Sequence, residues 1–282
     1  MKYISFSQGT SYSCQTLASI GAIACNPVGL KKLNEICKPV SNGFEITFCK
    51  YPDIKLIVSQ EELTEWSEEE LKESECDFKQ RLERIKEVLL PHWKIPRPRP
   101  EHVSGDPLVR MLELAYAKLM LALEPSKYPE LTNGQSKSNP LRLYHHKKFH
   151  YDPGRSISDI TNWSVMQLIA NGGTQFELSK SFMGESEKDT IAIDKARAEL
   201  AKISDNPEKY IAVVSSVGAS GDCVFLDPGS KIFPYHDYVA KKIDDKEQTI
   251  CLLDPYGSRI RLELDYDDFF QYFNGITTAT VV

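Results

Sequence analysis

The chain has 282 residues, enough for one large or two ordinary domains, and a hydrophobic content of 41% that can fill a sizeable core. Its 34 basic and 40 acidic residues leave a net charge of −6, so no basic excess points to nucleic acid as a partner. No apolar run reaches membrane-spanning length and the N-terminus lacks a signal-peptide pattern, so no membrane partner is expected. Seven cysteines, an odd number, lie scattered without CxxC or CxxH spacing. They read as reduced thiols of a cytosol-like compartment, not as a disulfide framework or a zinc site. Cys25, Cys37, Cys49, Cys223 and Cys251 sit among apolar residues and are expected in the core.

The first element is the stretch from Gln8 to Leu33. Ser7, Gly9, Thr10, Ser11 and Ser13 make its start polar and turn-rich, and an apolar helical run begins at Cys14. Leu17, Ile20, Gly21 and Ala24 fall on one helical face, with the hydroxyl residues as N-cap candidates. Cys14 therefore stands at a helix N-terminus, where unpaired N–H groups and the helix dipole favour a thiolate. Gln8, six residues upstream, carries an amide that can donate to the oxygen of a carbonyl attacked by Cys14. An ordinary buried cysteine opening an ordinary helix is the competing reading of this stretch.

After a break at Lys38-Pro39 and a turn at Asn42-Gly43, Phe44–Phe48 and Ile54–Val58 read as strands. Residues 61–88 are densely charged with an intermittent apolar stripe, and read as a solvated helix. Four prolines between Pro91 and Pro100 read as an extended connector. Asp106-Pro107 opens a buried helix, PLVRMLELAYAKLMLAL, with Pro107 suited to its first turn. Pro125 to Gly154 is loop-like, and its His145, His146 and His150 lack the companion ligands a metal would need, so they read as surface histidines. Ser158-Asp159-Ile160-Thr161 is expected to open a helix reaching Ala170, and residues 191–203 to form another. From Tyr210 onward, alternating or apolar runs separated by turns predict an antiparallel sheet.

Two residues of that sheet matter for chemistry. His236 starts one strand, in Phe233-Pro234-Tyr235-His236-Asp237-Tyr238-Val239, and Asp254 ends another, in Leu253-Asp254-Pro255-Tyr256-Gly257. A nucleophilic cysteine needs a base, and the base needs an orienting acceptor. Neighbouring antiparallel strands can bring His236 and Asp254 to one sheet edge. Taken singly, each has a plainer reading as a strand histidine and a turn aspartate.

Together these segments resemble the papain-like cysteine peptidases, and the calpain-type protease core most of all. The resemblance rests on Gln8-Gly9 with Ser13-Cys14 and Leu17-Ala18, on Leu112-Glu113-Leu114-Ala115-Tyr116-Ala117-Lys118-Leu119, on His236-Asp237-Tyr238-Val239, and on Asp254-Pro255-Tyr256-Gly257, in the family's order. Gln15 stands where the family has tryptophan, Leu114 where it has lysine, Asp254 where it has asparagine and Tyr256 where it has tryptophan. The resemblance implies an α+β, papain-like, two-lobed fold. A helical lobe would span residues 1–160, with an insertion at about 61–100, and a β-rich lobe residues 161–282. It implies a cysteine endopeptidase with Cys14 as nucleophile, His236 as base, Asp254 orienting His236, Gln8 in the oxyanion hole and Tyr256 shielding the His–Asp bond. The expected partner is a protein substrate, and no metal or other cofactor is expected. The expected setting is a reducing cytosol, reached by signal-independent export into a host cell if the chain is an effector-type relative. Two alternatives stay open. Cys-His-Asp chemistry also serves transglutaminases and glutamine deamidases, and a protease fold can serve as a non-catalytic binding module.

Overall fold

The computed structural model describes residues 13–65, 106–132, 140–145, 152–170, 175–182, 185–216, 224–227, 230–233, 236–255 and 257–282. Mixed helix and antiparallel sheet make it an α+β protein. The first helix, α1, spans Cys14–Cys25, and every residue from Cys14 to Ile23 is buried. The expected single apolar face is thus a helix enclosed on all sides, as a helix apolar throughout must be. Asn26 then caps α2, Pro27–Ile36, by accepting from the N–H groups of Val28 and Gly29.

The two helices meet closely at Gly29. A Cβ there would stand 2.1 Å from the Ile23 carbonyl oxygen. In an open helix Gly→Ala gains about 1 kcal/mol, but here the obstacle is backbone. Gly29→Ala is expected to destabilise the protein by about 1–3 kcal/mol, read as a lower midpoint in urea unfolding.

A three-stranded sheet follows, with β1 Cys37–Val40, β2 Gly43–Ile46 and β3 Leu56–Ser59 in the order β1-β2-β3. The hairpin turn lies at Asn42-Gly43 as expected, since Val40 pairs with Gly43. The stretch read as a break at Lys38-Pro39 is instead β1. Proline is tolerated there because β1 is an edge strand. Residues 60–65 are helical; the rest of the charged stretch and the proline-rich connector lie outside the described residues.

Helix α3, Pro107–Leu123, starts as expected, with Asp106 Oδ1 accepting from Leu108 N at 2.9 Å. The segment 125–154 is more structured than a loop. It holds short helical turns at Pro125–Lys127, Pro129–Thr132 and Pro140–His145. The side chains of His145, His146 and His150 lie outside the described residues. Helix α4 is Pro153–Thr161, so Ser158–Thr161 ends a helix where the sequence suggested a start. The cause is Asp152-Pro153: Asp152 caps Arg155 N, and Pro153 fits the first turn. Asn162 terminates α4 in the left-handed region at φ 58°.

The remainder forms an eight-stranded antiparallel sheet in the order β12-β11-β10-β7-β13-β4-β5-β6. Its strands are β4 Val165–Ala170, β5 Gln175–Phe182, β6 Glu185–Ala192, β7 Tyr210–Ser216, β10 Asp237–Asp244, β11 Thr249–Asp254, β12 Gly257–Asp265 and β13 Phe273–Thr280. Helices α5, Ile193–Asp205, and α6, Tyr266–Tyr272, lie along the chain between strands, and β8 Val224–Asp227 pairs with β9 Ser230–Ile232. Strand alternation splits the sheet between two cores. Ile211, Val213, Val239, Leu253 and Ala279 pack with α1, α3 and α4. Val214, Tyr238, Leu252, Leu262 and Ile276 pack on the opposite side with Leu200 of α5 and Phe269 of α6. The change from helix to sheet falls between Thr161 and Val165, while the first core spans both segments.

One buried carboxylate ties the helices that hold α1. Asp159 on α4 is fully buried and accepts from Lys50 Nζ at 2.9 Å and from the Tyr51 and Tyr116 hydroxyls, each at 3.2 Å. Arg155 Nε stands 3.5 Å away. The N-terminal end of α4 in turn meets α1, where Ser19 Oγ donates to the Pro153 carbonyl at 3.2 Å. No helix among the described residues is long and apolar enough to cross a membrane.

Candidate active site

Helix α1 delivers Cys14 to the sheet, and its contacts fall on β7 and β10. The helix ladder begins with Leu17 N donating to Ser13 O. The N–H groups before Leu17 therefore have no partner within the helix and lie beside the Cys14 thiol. Ser13 is the N-cap by position, but its side chain makes no capping bond.

His236 and Asp254 come together as expected. His236 Nε2 and Asp254 Oδ1 are 2.9 Å apart, and the two side chains are 4% and 1% exposed. This pairing engages Nε2 of the ring with the Asp254 carboxylate. The histidine is fixed from several directions. Its backbone N–H donates to Ser216 Oγ at 3.0 Å, and its carbonyl accepts from Ser216 N at 2.9 Å. Its ring stands edge-on to Tyr238, with centroids 4.8 Å apart, and to Phe233 at 5.7 Å.

The side chain that meets Cys14 is a residue the sequence reading passed over. Cys14 Sγ donates to Asp237 Oδ2 across 3.9 Å, and Asp237 Oδ1 accepts from Ser215 Oγ at 2.5 Å. Strand geometry explains the division. Asp237 pairs with Ser215 across β10 and β7, and shares a face with Val239, toward α1. His236, one residue earlier, meets Tyr238, whose side chain belongs to the opposite core. The structure thus joins His236 to Asp254 and sets Cys14 against Asp237. The signals for Asp237 were its place beside His236 and the polar Ser215-Ser216 pair ending an otherwise apolar strand.

The electrostatics of Cys14 run against the helix-dipole expectation. Burial pushes its thiol far above the ordinary value, and the Asp237 carboxylate pushes it further. The backbone N–H groups of Asp237 and Gln15 pull the other way, and Asp254 adds a smaller upward push. The dipole of α1 is outweighed because desolvation and a like charge act directly on the sulfur. Burial also raises the Asp237 carboxyl, opposed by the Ser215 hydroxyl and by His236.

Gln8 and Tyr256, expected in the oxyanion hole and over the His–Asp bond, lie outside the described residues. Cys37 and Cys49 are half-buried and pack against the first core, as expected, whereas Cys25 is exposed and Cys251 only half-buried; Cys223 lies outside the described residues. An apolar sequence neighbourhood misled here because it does not say which way one side chain faces. All five described cysteines are free thiols. Among the described residues no group of three or more His, Cys, Asp or Glu side chains is placed to hold a metal ion. No protein-family model matches the chain, and no curated protein matches it in sequence.

Proposed function

We propose that the chain is a papain-like cysteine endopeptidase, nearest the calpain-type core, acting on protein substrates. The observation that carries the reading is the buried His236–Asp254 pair at 2.9 Å, beside a strand residue that touches Cys14 at the start of α1. The pair supplies a base oriented through Nε2, and α1 supplies the nucleophile at its N-terminus.

In this reading the proton of Cys14 passes to His236 Nδ1 as Sγ attacks the scissile carbonyl. The S–C bond forms, and the carbonyl π pair becomes the oxyanion, held by N–H groups at the start of α1 with the Gln8 amide in the role the family resemblance implies. His236 returns the proton to the departing amine, leaving a thioester. Water attacks the thioester with His236 as base, and the thiol leaves with the proton. Asp254 keeps the ring in one tautomer and stabilises its charged form. Gln8 from residues 1–160 and His236 from residues 161–282 would flank the substrate in a cleft between two lobes.

Incubation of candidate substrate proteins with wild type and with Cys14→Ala tests the proposal. New protein termini are expected with wild type and none with the variant. A second reading is favoured by Asp254, a carboxylate where papain-like peptidases resembling this chain carry asparagine. Glutamine deamidases and transglutaminases use Cys-His-Asp on a side-chain amide. If intact substrates gain the mass of an amide-to-acid exchange, or incorporate an amine, that reading replaces endopeptidase while Cys14, His236 and Asp254 keep their roles.

A further inference from the structure

The site contains one carboxylate that the proposed mechanism does not use. Asp237 is 6% exposed and lies under the first residue of α1. Its two oxygens are separately engaged, Oδ1 by the Ser215 hydroxyl at 2.5 Å and Oδ2 by the Cys14 thiol at 3.9 Å. It cannot swing away to solvent. Its cross-strand partner Ser215 holds it from β7, and Val239 on the same face of β10 is locked in the core that α1 fills. A buried acid at a strand position facing a helix is costly unless it has a partner. Here both partners belong to the site.

We propose that Asp237 is a positioning residue for the nucleophile: it accepts the Cys14 Sγ–H hydrogen bond and holds the resting enzyme as a neutral thiol, in place of a standing thiolate–imidazolium pair. The assignment rests on the reading of Cys14 as nucleophile. Its consequence is a latent cysteine that loses its proton to His236 only as a substrate carbonyl accepts the sulfur. Asp237 itself neither gains nor loses a proton in that step. The physical reason is charge: a thiolate at Cys14 would stand against the Asp237 carboxylate in a site closed to water. The other charged groups acting on this pair are consistent with the arrangement. Asp254 on β11 also disfavours the thiolate, while His236, just before β10, favours ionised Asp237 and Asp152 at the start of α4 opposes it. A neutral resting thiol also resists alkylation and oxidation, which act on thiolates.

The test is the rate of carbamidomethylation of Cys14 by iodoacetamide in the full chain, followed peptide by peptide by mass spectrometry across neutral to alkaline pH. Wild-type Cys14 is expected to react slowly at neutral pH, its rate still climbing at the alkaline end. Asp237→Asn removes the charge and keeps the shape. Each unit by which the thiol falls raises the thiolate fraction tenfold, so at least about a tenfold faster rate is expected near pH 8, with the whole profile displaced to lower pH. The exposed thiol of Cys25 should be unchanged and serves as internal control. Asp237→Ser, smaller and able to pair with Ser215, gives the same displacement if the asparagine variant folds poorly. An undisplaced profile in either folded variant overturns the proposal. So does a uniform gain at every pH, which would reflect access alone. The measurement needs no substrate. Failure to find cleavage by wild type would therefore sink the peptidase reading without touching the thiol result, and an undisplaced profile in a cleaving enzyme would do the reverse.

Discussion

His236→Ala is expected to lower substrate cleavage by about 10²–10⁴-fold, the usual contribution of a positioned acid–base group. The two variants at Asp254 should then separate. Asp254→Asn leaves an oxygen that accepts from Nε2–H at the same 2.9 Å site, so measurable activity should survive. Asp254→Ala strands a buried ring nitrogen and should lose more. Steady-state kinetics on the cleaved substrate reads both, with kcat falling more than KM rises if the pair acts in the transition state. Equal and complete loss in two folded variants would show that the carboxylate charge is itself required. No change in any of the three would remove the pair from the mechanism.

The largest stability effect should come from Asp159, away from the chemistry. Asp159→Ala removes the shared acceptor of Lys50, Tyr51 and Tyr116 and one of two ion partners of Arg155, which keeps Glu124. Breaking a buried pair costs about 3–5 kcal/mol, but the Lys50 and Arg155 side chains are 40% and 36% exposed and recover water. A loss of about 2–4 kcal/mol is therefore expected, which for a chain of this size lowers the thermal midpoint by about 5–15 °C. Asp159→Asn, which keeps one acceptor oxygen, should lose less. A midpoint within a degree or so of wild type for Asp159→Ala would show that the helices are held by apolar packing alone. The effect on activity is indirect, since α4 carries Pro153, whose carbonyl accepts from Ser19 on α1.

Where local chemistry settled the outcome, the sequence was readable. Asp106-Pro107 started α3 because capping and the first-turn preference of proline act within a few residues. The runs from Tyr210 onward became strands of one antiparallel sheet because their apolar alternation needs only a face to bury. Asp152-Pro153-Gly154 falls in the stretch that reads as loop, since the same residues serve a loop and a helix start, and only the helix beyond them decides which. Strands β5 and β6 went unread because QFELSKSF and ESEKDTIA are mostly polar, and pairing of β5 with β4 and of β6 with β5 is what makes them strands.

The amino-acid sequence by itself determined the α+β class, the helix that begins at Cys14, and the nomination of Cys14, His236 and Asp254. The class and the helix follow from residue types and spacings along a few turns of chain, and the three site residues from the resemblance to papain-like peptidases. The tertiary structure decided that His236 and Asp254 meet at 2.9 Å, and that the residue touching Cys14 is Asp237. Asp237 opens β10 and shares a face with Val239 toward α1, while His236, just before the strand, pairs with Asp254 at the end of β11. Which side faces α1 depends on the register of β10 against β7, set by Asp237 opposite Ser215 and Val239 opposite Val213. That register is a property of two segments more than 20 residues apart, as the 22-residue separation of Ser215 and Asp237 records, and burial against α1 selects it.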